Sequence, residues 1–163
     1  EAMSKSWGYT IANDVTARDL QKTDNQWTRA KGFDSFCPLG PWIVREIPAG
    51  AQLQTFINKE ATPRQSASIA QMIFSPEYLV SYISQTMTLL PGDIVLTGTP
   101  EGVGPVEVGD RIRIEIEGIG CLENSVYTRV QKEAPVPQEP ALQSSSSTSK
   151  TFASETTSKT DTE

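Results

Sequence analysis

The chain has 163 residues, enough for one domain with a real core, although only 37% of them are hydrophobic, which is low for a compact chain. Acidic residues outnumber basic ones 20 to 14, for a net charge of −6, and the lysines and arginines are scattered, which argues against nucleic-acid binding. With no histidine, the chain lacks the commonest general base at neutral pH, so its chemistry must rest on carboxylates, a lysine, backbone groups or a hard, oxygen-loving metal. In chain order, residues 7–12 read as a short buried strand. The following NDVTARDLQ leaves that strand and enters a helical turn. Residues 24–32, polar with an embedded Trp27, read as a loop. Pro38 and Pro41 flank a short apolar run in FCPLGPWIV, the pattern of an irregular strand at a sheet edge.

Residues 53–58 (LQTFIN) alternate apolar and polar side chains, which predicts a half-buried strand. Ser75, Pro76 and Glu77 form a helix start: an N-cap, a proline at the first helical position and an acid at the positive end of the dipole. Leu79, Ile83 and Met87 keep helical spacing, and Pro91-Gly92 predicts a stop near Leu90. Residues 94–97 read as a strand, and TGTPEGVGP as a loop punctuated by glycine and proline. Strict alternation over residues 111–117 (RIRIEIE) predicts a further strand. Gly118 and Gly120 turn it into an antiparallel partner over residues 123–130. The fold class is therefore strand-rich α+β with one good helix. The domain spans residues 1–132, and residues 133–163, rich in Ser, Thr, Pro and Glu, are expected to form a disordered tail.

Cys37 and Cys121 show no metal-ligand spacing and read as buried thiols rather than a disulfide framework. No apolar run is long enough to cross a bilayer and nothing at the start resembles a signal peptide, so a soluble intracellular protein is expected, without membrane contact. The opening EAMSKSWGYT has no initiator methionine at its first position, which leads us to expect that part of a longer protein is absent.

Three clusters could carry chemistry. In the first, Asp14 follows a strand and Arg18 stands four residues on, a pattern suited to a hard cation and the anion it holds. The same spacing suits a turn in which Asp14 caps the next helical residues and Arg18 pairs with Asp19. In the second, Lys31 sits between small residues and beside aromatics, where an ammonium could serve as a point charge for a carboxylate or enolate oxygen. Spacing alone favours an ordinary solvated lysine. The third, LTGTPEGVGP, lacks the ending of a nucleotide-binding loop, and its glycines and hydroxyls fit either an oxyanion cradle or a tight hairpin connection. Asp93 reads as a turn-stabilising residue.

The combination and order of these segments are more telling than any one. GYTIANDVTARDLQ, QWTRAKGFDSFCPLGPWIV, RQ followed by MIFSPEYLVSYIS, and LLPGDIVLTGTPEGVGPVEVGD together resemble the fumarylacetoacetate hydrolase family. The resemblance covers residues 7–127 and is nearest to the acylpyruvase, oxaloacetate decarboxylase and 2-hydroxyhepta-2,4-dienedioate isomerase branch. It implies the family's mixed β-sheet roll, truncated at the amino terminus. It also implies a homodimer and a metal-dependent reaction on short β-diketo or oxo acids (hydrolysis, decarboxylation or isomerisation), in the cytoplasm or mitochondrion. The metal expected is Mg²⁺, with Mn²⁺ or Ca²⁺ as alternatives. By this resemblance Asp14 matches a metal ligand, Arg18 and Gln21 match residues near the substrate carboxylate, Lys31 the lysine beside the metal, and Thr99 the threonine of the TGTP loop. Lys31 and Thr99 are thereby the expected catalytic residues, and both join Arg18 and Gln21 in substrate binding.

The same resemblance marks departures. The family's two other metal carboxylates lie in an E-x-E motif upstream of GYT, and its catalytic His and Glu lie on a lid near the amino terminus. This chain begins eight residues before Tyr9 and carries neither. One carboxylate is a poor Mg²⁺ site, so the chain alone is expected to bind Mg²⁺ weakly and not to turn over acylpyruvates. Asn58-Lys59-Glu60 replaces a tight N-G-E turn, with an insertion around Ala61, Thr62 and Pro63. Ile69, Ala70 and Gln71 replace a polar Thr-Ser-Asp, which is expected to weaken a cap near the site. The alternative to an enzyme is a non-catalytic descendant serving as a dimerising or ligand-binding module.

Overall fold

The structure, a computed structural model, describes residues 2–128. The tail expected over residues 133–163 lies outside the described residues. Two antiparallel sheets organise the described part. The smaller pairs β1 (Tyr9–Ala12) with β2 (Leu39–Val44), with a register irregularity between Tyr9 and Ile11. The larger has the order β4-β3-β5-β6, built from β3 (Gln52–Ile57), β4 (Gln65–Ser68), β5 (Arg111–Ile116) and β6 (Gly120–Ser125).

The alternation in RIRIEI explains the larger sheet. Ile112 and Ile114 are buried on one face, where they meet Ile11, Ile57, Ile119 and Leu122, with Tyr9, Val44, Ile47, Ile116 and Val126 packed around them. The core thus lies between the two sheets, with Ile11 the small sheet's buried contribution. On the other face Arg113 lies 4.2 Å from the centre of the Phe56 ring, directly across the ladder, and Arg111 pairs with Glu123 at 2.8 Å. The Trp42 indole N–H donates to the Ile119 carbonyl at 2.6 Å, tying β2 to the β5–β6 turn.

Several expectations need correction. The β3 stretch expected to be half-buried ends in three consecutive buried residues, Thr55, Phe56 and Ile57. β3 is an interior strand with neighbours on both sides, and Arg113 covers its outer face. Residues 94–97 form no strand, since no strand among the described residues pairs with them, and Ile94 and Leu96 stay exposed. Helix α3 (Pro76–Ser84), which follows the short helices α1 (Arg18–Thr23) and α2 (Thr28–Lys31) in the chain, starts as expected, with the Ser75 hydroxyl accepting from the Tyr78 N–H. It stops six residues before Leu90, although one further helical bond, from the Met87 N–H to the Ile83 carbonyl, prolongs the turn. Cys121 is exposed and Cys37 half-buried, so neither is a buried thiol.

Two departures from the family pattern leave the local structure intact. Asn58 takes a left-handed conformation (φ 56°) and closes the tight turn itself, its amide donating to Asp110 at 2.7 Å and its carbonyl accepting from the Arg111 N–H. Ser68 caps the 3-10 turn Ile69–Gln71, and the Gln71 side chain accepts from the Ser68 N–H in return. A cap is therefore present at this turn.

Candidate active site

The first cluster is built at the end of β1. The Asn13 N–H donates to the Pro38 carbonyl, and the Val15 N–H closes a tight turn on the Asn13 carbonyl at 2.8 Å. The Ala17 N–H then donates to the carbonyl of Ala30, a fully buried residue, at 2.9 Å. That bond joins the segment after β1 to two short helices, α1 (Arg18–Thr23) and α2 (Thr28–Lys31). α2 corrects the expected loop over residues 24–32. It is only one turn long, and the Arg29 guanidinium grips Asp24 through two bonds of 2.7 and 2.9 Å. The hydrogen bond from Arg29 holds the Asp24 carboxyl below its usual range.

Lys31 ends α2 and reaches back to Asp14. Its ammonium pairs with the Asp14 carboxylate and donates to the Thr16 hydroxyl at 3.3 Å. The Thr16 hydroxyl in turn donates to the Asp14 carbonyl at 3.0 Å. Lys31 is therefore not a lone solvated lysine, and the Asp14 carboxylate faces a cation rather than a helix end. Ala17, the residue at the α1 N-cap, makes no side-chain capping bond. Arg18 pairs with Gln21 at 2.7 Å rather than with Asp19.

Thr99 stands in a different set of contacts. Its hydroxyl oxygen accepts from the Gln65 side-chain amide at 2.8 Å, and the same amide nitrogen donates to the Pro100 carbonyl at 2.8 Å. Asp93 closes a turn by accepting from the Leu90 N–H at 2.7 Å. Among the described residues no hydrogen bond links Thr99 to Asp14 or Lys31. A hollow lined by Asn58, Lys59, Glu60, Arg111, Arg113 and Glu123 includes none of the expected site residues. Two side chains joined to these clusters carried no role in the sequence reasoning: Thr16 and Gln65. Gln65 stands within the matching RQ, but nothing in its spacing assigns it a partner.

Among the described residues no group of three His, Cys, Asp or Glu side chains stands where it could hold a metal ion. Asp14 brings one carboxylate, and the Lys31 ammonium already pairs with one of its two oxygens. The described residues do not by themselves fit an Mg²⁺ site, which needs several oxygen donors in octahedral array. What the cluster can do alone is present a fixed positive charge, steadied by a carboxylate and a hydroxyl, to a small anion.

A strand-rich α+β domain with an Asp–Lys pair after its first strand and a TGTP loop matches one family model along most of its length. The model for the C-terminal part of fumarylacetoacetate (FAA) hydrolase matches residues 1–127. The chain belongs to that family. It is 53% identical over 133 residues to Protein Rv2993c of Mycobacterium tuberculosis, a match that covers 79% of this chain and 49% of the relative. Against the mitochondrial oxaloacetate tautomerase FAHD2A of Bos taurus the identity is 43% over 139 residues, covering 77% of this chain and 44% of the relative. A crystal structure of 5-carboxymethyl-2-hydroxymuconate delta-isomerase from Mycobacterium smegmatis superimposes with a TM-score of 0.74 at 50% identity, over 80% of this chain and 51% of that one. The chain thus spans about half the length of the curated relatives it matches. No helix among the described residues is long and apolar enough to cross a membrane.

Proposed function

We propose that the chain supplies the oxo-acid-binding part of an enzyme that hydrolyses, decarboxylates or isomerises short β-diketo or oxo acids. The observation that carries this is the Lys31 ammonium held on Asp14 and Thr16, in a family whose relatives include a tautomerase and an isomerase by name. Lys31 supplies a positioned charge for an enolate or carboxylate oxygen, which stabilises the anion that such reactions develop. Arg18, steadied by Gln21, takes the substrate carboxylate, where a guanidinium offers paired donors. Thr99 donates its hydroxyl proton to a further substrate oxygen. Among the described residues Asp14 is the carboxylate offered to a divalent cation, Mg²⁺ by preference, and any other ligands must come from outside the described residues. A homodimer in the cytoplasm or mitochondrion belongs to the same proposal.

Oxalate, a small mimic of an enolate, tests this by calorimetric titration in the presence of Mg²⁺. Arg18→Met is expected to weaken oxalate by about tenfold, the scale of one lost charge-assisted hydrogen bond, with the melting temperature unchanged. An equal affinity would remove Arg18 from the site. No binding by the unaltered chain would overturn the proposal. Metal-dependent hydrolysis of acetylpyruvate by the chain would show that Asp14 needs no further carboxylates.

A second proposal, a non-catalytic module that keeps the fold for ligand binding or dimerisation, draws support from the Asp14 carboxylate being paired with Lys31. An E-x-E strand and a His-bearing lid encoded directly upstream would decide for the enzyme, and a stop codon there for the module.

A further inference from the structure

The loop that carries Thr99 is held by two consecutive residues at the start of β4. Arg64 spreads its guanidinium between the Glu60 carboxylate, at 2.9 and 3.1 Å, and the Pro105 carbonyl, at 3.1 Å. Gly102 lies so close to the Arg64 carbonyl that a β-carbon there would stand 1.9 Å from its oxygen. Gln65 then reaches Thr99 and Pro100.

The polarity of this contact follows from its chemistry. A carbonyl oxygen only accepts, so the Gln65 atom 2.8 Å from the Pro100 carbonyl must be the amide nitrogen. That nitrogen has two protons, one for Pro100 and one for Thr99. The Thr99 oxygen is therefore an acceptor toward Gln65, and its own proton remains to be donated elsewhere. Among the described residues no acceptor takes it.

We propose that Gln65 is a positioning residue that fixes the Thr99 hydroxyl as a donor, so that the loop selects a 2-oxo or enolate oxygen over a 2-hydroxyl. The inference rests on the proposed role of Thr99 at an oxo-acid site and adds to it the reason for the choice of substrate oxygen. An oxo oxygen satisfies the Thr99 proton outright. A hydroxyl in the same place brings a second proton that needs its own acceptor.

Pyruvate and lactate test this, because they share size and charge and differ at C2 alone. Binding is read by calorimetric titration of the full chain. The unaltered chain should prefer pyruvate by about fivefold, the worth of one neutral hydrogen bond. In Gln65→Glu the Thr99 proton turns to the new carboxylate and the preference should fall to one or below. Because the two ligands carry the same charge, the added negative charge cancels from the ratio. Loosening of the loop lowers both affinities together, so an unchanged ratio in Gln65→Glu would overturn the proposal. If that variant does not fold, Gln65→Met serves, with the ratio expected to fall toward one and an unchanged ratio again contradicting the proposal. Thr99→Val separates the two levels. A chain that binds both ligands as before without the hydroxyl refutes the role of Thr99 itself. A preference lost in Thr99→Val but kept in Gln65→Glu leaves that role standing and sinks the part given to Gln65. Equal binding of the two ligands by the unaltered chain, or binding of neither, would also overturn it.

Discussion

The four-stranded sheet and the stretch from residue 73 through α3 and the loop that follows it belong to one chain but obey different rules. In the sheet, apolar side chains meet their partners: Ile57, Ile112, Ile114 and Leu122 are buried together, and Phe56 on the other face is covered by Arg113. Along residues 73–103, α3 buries no residue, Phe74, Tyr78 and Tyr82 stack in the open, and Ile73, Leu90, Ile94 and Val103 are exposed. The sheet is held by burial, whereas the loop carrying Thr99 is held by directed contacts from Arg64 and Gln65.

Substitution should cost most in the core. Ile114→Ala should lower unfolding free energy by about 2–5 kcal/mol, because the cavity it leaves is walled by both sheets. Tyr82→Ala, on the exposed stack, should cost about 1 kcal/mol or less. Denaturant titration checks both, and similar costs would mean that α3 is buried in the working protein. Next in size is Gly102→Ala. The glycine has φ 99° and no room for a β-carbon against the Arg64 carbonyl, so about 1–3 kcal/mol is expected, with faster hydrogen exchange confined to the loop. A uniform rise in exchange across β5 and β6 would contradict the separation of the two regions.

The elements legible from sequence were those whose pattern reports burial. Alternation located β5 because Ile112 and Ile114 face a core while Arg111 and Arg113 face the other side, whereas its partner, expected over residues 123–130, is β6 at Gly120–Ser125, which starts at the turn glycine itself. The run over residues 94–97 failed for the complementary reason: Ile94, Val95 and Leu96 are apolar, but no neighbouring strand among the described residues pairs with them. β4, with the sequence QSAS, has no β-branched residue to announce it and exists through pairing with β3. At the site, seventeen residues separate Asp14 from Lys31, and no local periodicity encodes their meeting. Their importance was read through resemblance to a family, and the structure supplied the partners. Gln65 was invisible because its role depends on a loop thirty-four residues away.

Smaller effects sharpen the same contrast. Lys31→Met removes an ion pair between partly exposed side chains, so its stability cost should stay below about 1 kcal/mol by thermal melting. A larger loss would make the pair part of the fold rather than of a site. The least effect concerns pH. The Glu107 N–H and then the Asn58 amide hold the Asp110 carboxyl below its usual range, and the Arg64 guanidinium does the same for Glu60. Both carboxylates favour the folded state when charged, so their contribution is present at neutral pH and is lost as the pH falls through the lowered values. Melting temperature should therefore decline below about pH 4, and less steeply in Asp110→Asn. An identical decline in the variant would show that other carboxylates dominate.

Whether the Lys31 ammonium is a positioned charge for a small oxo acid is tested most directly by titrating oxalate into the chain and into Lys31→Met at equal Mg²⁺. Saturable binding by the chain, weakened tenfold or more in a variant that melts at nearly the same temperature, is the expected result. Equal affinity in the two proteins would contradict it.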